Sequence, residues 1–435
     1  MRDGGKIAAA IDVLQDVLER RTPVKEAVRD WGKRHRFAGS RDRAWISGLV
    51  LDALRKKNSI EHSMGATGPR ALAIGALKHA WGWDVRKIEE AFKDEHAPAA
   101  MSSKERDGVL LAPDPAAPAH VRGDYPEWLA PNMQRTFGPD AVAEAMAMAL
   151  RAPVDLRVNT LKSDAEKAGR ALESVKAKPI PELKNGFRIP APDSIDRGEA
   201  VEAIPAYSKG WVEVQDMGSQ IAAAASCAKA GEQVLDYCAG GGGKTIAMAA
   251  MMENKGQIFA HDVDGRRLSA LIPRIDRAGI RNVQLRHPKE NASLDDLSHK
   301  MDLVMIDAPC TGVGTWRRKP DAKWRVSEGA LRKRLEDQAI ILRTACNYVK
   351  PGGRLVYVTC SFLMEENEDQ VASFLADRDD FIMDDAAEAA VRSGQLTDAG
   401  ARLVRKCRRP EGAVRLTPRG AGCDGFFVAV MRRAT

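Results

Sequence analysis

Two cysteines, Cys310 and Cys360, each stand just past a short apolar run. Leu303-Val304-Met305-Ile306 leads into Asp307-Ala308-Pro309-Cys310, and Leu355-Val356-Tyr357-Val358 leads into Thr359-Cys360-Ser361. Four apolar residues bounded by polar punctuation read as a buried strand, so both thiols arrive where strands end. A thiolate attacks electron-poor carbon, and a carboxylate such as Asp307 can hydrogen-bond or protonate a substrate ring. Pro309 fixes the chain direction before Cys310 and removes a backbone donor. A lone cysteine at a strand end reads first as a small core residue. Two of them, with an aspartate, a proline and a glycine-rich loop upstream, read as covalent catalysis. Cys227, Cys346 and Cys407 sit in helical or basic contexts without such company.

The glycine-rich loop supplies a second candidate site. Gln233-Val234-Leu235-Asp236-Tyr237-Cys238 reads as a strand running into Ala239-Gly240-Gly241-Gly242-Gly243-Lys244-Thr245, then a helix. Glycine allows a tight turn and close approach of backbone to ligand, and the following helix start offers free N–H groups. The ending Gly-Lys-Thr resembles a phosphate-binding loop, but Cys238 stands where the first glycine of that pattern belongs. Asp262 closes the next strand, twenty residues after Gly242. Dinucleotide and adenosyl folds place there the acid that binds ribose hydroxyls. Cys238, Ala239, Gly240, Gly241, Gly242, Gly243, Lys244 and Asp262 are therefore the candidate cofactor residues.

These side chains need a frame. Strands are predicted at 233–237, 257–261, 282–286, 302–306 and 354–358, most of them separated by helices. That alternation implies an α/β fold with a doubly wound, mostly parallel sheet, whose ligands lie outside the carboxyl ends of the strands. A last strand, Gly425–Met431, follows a turn. Residues 206–435 form this domain. Residues 126–205 read as a small α+β subdomain, with a helix over 138–150, a strand over 155–159 and a helix from Ser163. Residues 101–125, with Ala112-Pro113-Asp114-Pro115-Ala116-Ala117-Pro118, read as a linker. Residues 1–100 read as all-helical: Ile7, Ile11, Leu14 and Leu18 recur at helical spacing. Thr22-Pro23 reads as a cap and first turn, and Ser40 as the cap of a helix burying Trp45, Ile46, Leu49, Val50 and Ala53. Further helices fall near 69–81 and 84–93. Lys33, Arg34, Arg36, Arg41, Arg43, Arg55, Lys56 and Lys57 interleave with these helices. They suit either a solvated face or a phosphate-contacting surface.

Bulk properties agree with a soluble globular chain. It has 435 residues, 44% hydrophobic and 29% charged, with a net charge of +7 that is compatible with a polyanionic partner. Seven cysteines without a CxxC pair argue against zinc and against a disulfide framework, and no metal is expected. There is no apolar run long enough to span a bilayer and no leader-like start, so a cytoplasmic protein making no membrane contact is expected.

The motifs together resemble the RNA (cytosine-5)-methyltransferase family, the RsmB/Sun and NSUN group, over residues 125–435. The resemblance rests on Asp307-Ala308-Pro309-Cys310, on Thr359-Cys360-Ser361 followed by Glu365-Glu366-Asn367, on the basic stretch Arg317-Arg318-Lys319-Pro320-Asp321-Ala322-Lys323-Trp324, and on Asp424-Gly425-Phe426-Phe427. The helical part resembles the NusB-like RNA-binding domain of the bacterial RsmB branch, best at Ser40-Arg41-Asp42-Arg43-Ala44. The resemblance implies a Rossmann-like methyltransferase sheet, S-adenosylmethionine as methyl donor, and cytosine in RNA, most often ribosomal RNA of the bacterial small subunit, as substrate. It implies Cys360 as the nucleophile at carbon 6, Cys310 as the residue that assists proton loss and RNA release, and Asp307 as the group holding the cytosine beside the cofactor. It matches Lys244 and Asp262 to family positions in or near the cofactor site, and adds Arg267 and Asp307 to the cofactor residues. A flipped or single-stranded cytosine would reach such a pocket. Nothing calls for more than a monomer. Two positions depart from the family: Gly241 replaces its loop proline, and Leu285-Arg286-His287-Pro288-Lys289 lacks its acid after the third strand, leaving Glu290 or Asn291 as substitutes. The same fold acting on another substrate, or an RNA-binding assembly factor without catalysis, are the competing readings.

Overall fold

The structure, a computed structural model, describes residues 1–192, 201–288 and 294–435. The chain divides into two units. Among the described residues, one comprises residues 1–151 with Trp316–Ser327, and the other holds most of the remainder.

In the sheet unit, β1 (Val154–Val158), β2 (Lys178–Pro179), β3 (Gly186–Ile189) and β4 (Val212–Val214) form a small antiparallel sheet in the order β2-β3-β1-β4. The subdomain thus runs past residue 205, because β4 pairs with β1. The larger sheet contains β5 (Gln233–Asp236), β6 (Gln257–His261), β7 (Val283–Arg286), β8 (Met301–Asp307), β9 (Val349–Thr359), β10 (Phe381–Asp384) and β12 (Phe426–Arg433), with β11 (Val414–Leu416) added beside β12. Its order is β10-β12-β9-β8-β5-β6-β7. Strands β5 to β9 run parallel, and β12 lies antiparallel to β9. The chain builds outward from β5 through β6 to β7, then returns to the other side of β5 for β8 and β9. The topological switch therefore lies between β5 and β8.

Strand β8 is apolar from Leu303 to Ile306 because both its faces are covered there: all four residues are buried. Alternate residues enter opposite cores. Val234, Met305 and Val356 join Ile221, Ile246 and Met248 from the helices Met217–Ala225 and Gly243–Met251. Leu235, Ile306 and Tyr357 join Leu342, Val371 and Phe374 from the helices Glu328–Ala345 and Glu368–Asp377.

The helical unit contains α1 (Asp3–Glu19), α2 (Val24–Arg34), α3 (Ser40–Arg55), α4 (Lys57–Met64), α5 (Pro69–His79), α6 (Val85–Ala91) and α7 (Ser103–Leu110) around one apolar core. Ser40 opens α3 rather than capping it; Gly39 is the cap, and its N–H donates to Asp42 Oδ2 at 3.2 Å. Helix α2 likewise begins at Val24, with Pro23 as the cap. Residues 101–125 are not a free linker. Ser102 and Glu105 form a reciprocal cap on α7, Val109 is buried, and Gly108 lies so close to the Met64 backbone that a methyl group there would approach within 2.7 Å. The stretch Trp316–Ser327 also belongs to this unit. Lys323 Nζ donates to Arg55 O at 2.9 Å, and Trp324 Nε1 to Leu54 O at 2.7 Å. Among the described residues no helix is long and apolar enough to cross a membrane.

Candidate active site

Parallel pairing sets Asp307 opposite Val358, so the loops leaving β8 and β9 begin side by side. Ala308 N–H extends the ladder by donating to Val358 O at 2.8 Å. The result is a sulfur–sulfur distance of 3.4 Å between Cys310 and Cys360. A buried carboxylate holds the first loop. Glu366 accepts from Thr311 N (2.8 Å), Thr311 Oγ1 (2.5 Å) and Gln338 Nε2 (3.1 Å), while Gln338 also donates to Pro309 O at 3.1 Å. Tyr357 Oη donates to the Glu366 carbonyl at 2.7 Å. Asn367 holds the second loop, accepting from Thr359 Oγ1 at 2.5 Å and donating to Ser361 O at 3.0 Å. The hydrogen bond with Cys360, burial, and the negative charge of Glu366 push the Cys310 thiol well above its ordinary range. Cys310 is thus held as a neutral thiol.

Gly314 closes the back of this arrangement. Its N–H donates to Cys360 O at 3.0 Å, and its carbonyl accepts from Gly425 N at 2.8 Å. A methyl group at Gly314 would lie 2.3 Å from Gly425 O and 2.7 Å from Cys360 O, so only glycine fits. This contact explains why the Asp424-Gly425-Phe426-Phe427 motif accompanies the cysteines.

The glycine turn after β5 lies on the other side of the switch. Lys244 Nζ sits 2.7 Å from Asp307 Oδ2, joining the cofactor loop to the motif that carries Cys310. Lys244 is buried, whereas Asp307 keeps partial access to solvent. Asp262 accepts from Gly240 N through Oδ2 and from Asp264 N through Oδ1, each at 2.8 Å. It therefore shapes the turn as well as facing it. Arg267 is mostly exposed, with its guanidinium 3.9 Å from Asp262. At Gly242, φ is +78° and a methyl group would strike Leu271 Cδ1 at 1.9 Å, so conformation and space both require glycine. Asp236 is fully buried. Thr245 Oγ1 donates to its Oδ2 at 2.6 Å, while Oδ1 has no protein partner. Burial pushes its acid up to about 7, with Asp307 and Asp262 adding to the effect. Burial also raises the Cys238 thiol, helped by the charges of Asp236, Asp262 and Asp307. Cys238 is a neutral wall residue of the glycine turn.

The two departures resolve differently. Gly241 lies outside the left-handed region, and its carbonyl is bound by the Arg274 guanidinium, which also meets Glu213 at 3.0 Å. At the end of β7, Arg286 pairs with Asp296 at 2.7 Å and covers the Phe259 ring. Glu290 and Asn291 lie outside the described residues. In the sequence, Glu366 and Asn367 show only as part of a motif, and Gln338 carries no signal of its own. Their roles depend on being buried beneath the two loops, and a Glu-Glu-Asn run otherwise reads as a solvated helix start. Among the described residues no cluster of ligating side chains could hold a metal ion.

The comparisons with known proteins cover both parts of the sheet unit. Residues 225–432 match the family model described as 16S rRNA methyltransferase RsmB/F, and residues 125–196 match the ferredoxin-like domain of RsmF/B-like methyltransferases. The chain is 32% identical over 322 residues to ribosomal RNA small subunit methyltransferase B of Sodalis glossinidius, covering 72% of this chain and 67% of that protein. It is 29% identical over 338 residues to a probable methyltransferase B of Bacillus subtilis, covering 77% and 72%. The solved structure of PH0851 shares the fold over 99% of both chains, with a TM-score of 0.72 at 24% identity. A methyltransferase homolog from Pyrococcus horikoshii matches 72% of this chain and 97% of its own, with a TM-score of 0.57 at 28% identity. Kinship of this extent, running through both sheets and the two cysteine loops, establishes that the chain belongs to the RsmB/F family of 16S rRNA methyltransferases.

Proposed function

We propose that this enzyme methylates carbon 5 of a cytosine in small-subunit ribosomal RNA through a covalent adduct on Cys360. The observation that carries the reading is the pair of sulfurs 3.4 Å apart at neighbouring strand ends, beside the Lys244–Asp307 ion pair. A methyltransferase acting on nitrogen or oxygen has no use for two such thiols.

The residues around the glycine turn fit S-adenosylmethionine. Asp236, Asp262 and Asp307 place three acids about Cys238, and Asp236 Oδ1 is a buried acceptor without a protein partner. That set suits ribose hydroxyls and a positive sulfonium. When bound, S-adenosylmethionine supplies the methyl group that carbon 5 takes up.

The chain's own residues do the rest. Cys360, as thiolate, bonds to carbon 6 and shifts electron density to carbon 5. Asp307, steadied by Lys244, holds the edge of the ring. After transfer, carbon 5 must lose its proton and the Cys360–carbon 6 bond must break to restore the ring. Cys310 assists that proton loss directly or through water, its own thiol proton passing first to solvent so that the sulfur can accept the one leaving carbon 5. The test is bisulfite sequencing of ribosomal RNA from cells with and without the gene, joined to methyl transfer onto isolated RNA in vitro. We expect one protected cytosine to disappear with the gene. An unchanged map with no transfer in vitro would end this reading.

A further inference from the structure

The helical unit presents an aromatic ring where a folded chain gains nothing from it. Phe37 is 72% exposed, on the turn between α2 and α3. Single exposed apolar residues are common, so exposure alone decides nothing. What distinguishes Phe37 is the support beneath it. Trp31 and His35 stack with centroids 4.3 Å apart, and the Phe37 ring meets His35 edge-on at 5.9 Å. The turn is pinned on both sides: Ala38 N–H donates to His35 O at 3.0 Å, and Arg43 Nη1 donates to Ala38 O at 2.6 Å. The Arg43 stem lies against Gly32, where a methyl group would touch it at 2.8 Å. The backbone that carries the ring is therefore held in place before any ligand arrives.

The surrounding charge is one-sided. Residues 33–43 carry Lys33, Arg34, Arg36, Arg41 and Arg43 against Asp42 alone. Arg36 and Arg41 are exposed and enter no ion pair among the described residues. Lys33 and Arg34 pair with Asp30 (3.2 Å) and Asp16 (3.4 Å) at the surface, contacts weak enough to exchange for a phosphate. The basic run at the junction of α3 and α4 serves differently: Arg55 is buried against Asp52, Lys56 donates to His79 O, and Lys57 pairs with Glu61.

We propose that this turn is a stacking platform for single-stranded RNA, with Phe37 against the face of one base and Arg36 and Arg41 on the neighbouring phosphates. The proposal rests on the RNA substrate argued above and names where, outside the catalytic pocket, that substrate is held. An exposed ring flanked by cations matches a polyanion with unstacked bases, since every base offers a π face and every link a charge.

The test uses the full-length protein and a labelled single-stranded oligoribonucleotide of mixed sequence, followed by anisotropy across a salt series. Phe37→Ala should weaken binding roughly five- to a hundredfold without changing the salt slope, since stacking carries no counterion release. Arg36→Ser with Arg41→Ser should make the slope shallower by about 1.4, at about 0.7 per lost phosphate on a single strand. All three side chains are exposed, so melting temperature and S-adenosylmethionine affinity should match the wild type. A 4-thiouridine oligonucleotide should crosslink to the peptide containing Phe37. Wild-type affinity and slope in both variants would overturn the platform. So would a defect seen only with assembled ribosomal particles, which would assign the turn to a protein partner. A wild-type protein that neither binds nor methylates RNA would instead overturn the substrate reading itself.

Discussion

Cys310 and Cys360 are the same residue type at the same sheet edge, yet their surroundings differ. Cys310 is held protonated by its bond to Cys360, by burial and by Glu366. Replacing Cys360 with Ala should abolish methylation while leaving cofactor affinity nearly unchanged. Replacing Cys310 with Ala should let attack and transfer proceed but slow release, so a nuclease-sensitive protein–RNA band should accumulate on denaturing gels. The opposite trapping pattern would exchange the two roles. Glu366→Gln keeps the shape but weakens three hydrogen bonds to a buried group, costing roughly 1–3 kcal/mol of stability. Turnover should fall while cofactor affinity stays, since Glu366 positions the Cys310 loop and touches neither the glycine turn nor Asp262. Asp236 provides a pH signature. Its folded acid sits at about 7, above an unfolded value of about 3.9. The folded state therefore holds a proton that the unfolded chain has lost, and this contribution to stability is present below about pH 4 and lost as pH rises to 7. Asp236→Asn should flatten that slope, seen as a smaller difference in denaturation midpoint between pH 4.5 and 7.5 than in the wild type.

Among the elements, the β9 end and the start of β12 form one piece with the Gly314 turn. Gly314→Ala must push the Gly425 carbonyl or the Cys360 carbonyl aside. Overpacking of this kind costs roughly 1–3 kcal/mol, and here the displacement falls on Cys360, the proposed nucleophile. We expect both a lower melting temperature and a large loss of turnover, measured on the same preparation. Full activity with a lowered melting temperature would show that the turn supports the sheet and not Cys360. The glycine turn makes a parallel case through Asp262, whose two oxygens hold Gly240 and Asp264. Asp262→Ala removes both those bonds and the proposed ribose acceptor. S-adenosylmethionine affinity measured by calorimetry should fall roughly tenfold or more, about 1.5–3 kcal/mol for a charged acceptor.

At the scale of the whole molecule, the chain does not divide at its proline-rich stretch. Trp316–Ser327 follows six residues after Cys310 but folds with the helices, where burial pushes Lys323 down to about 8 and Trp324 packs against the core. Deleting residues 1–100 removes the Leu54 and Arg55 carbonyls that receive Trp324 and Lys323. A catalytic half cut at that point should therefore aggregate, and replacing 316–327 with a short Gly-Ser link should restore a monodisperse protein. Size-exclusion chromatography decides between the two. A simple truncation that runs as a clean species and binds cofactor like the full chain would show that the segment does not need the helices.

The strand ends, the cysteine pair, the glycine turn and Asp262 were legible from residue order, because buried parallel strands write themselves as short apolar runs and their loops follow directly. The helical character of residues 1–100 was legible for the same reason, from the spacing of Ile7, Ile11 and Leu14. Contacts between distant segments were not. Glu366 beneath Thr311, Gly314 against Gly425, β4 beside β1 and Lys323 among the helices each join residues separated by tens to hundreds of positions, and no local pattern of charge or hydropathy records such a pairing. The surface behaved alike: Arg36 and Arg55 read identically in the sequence, yet packing buried one and left the other beside an exposed ring. Periodicity encodes which side of an element faces inward, whereas only the closed core decides what that side meets.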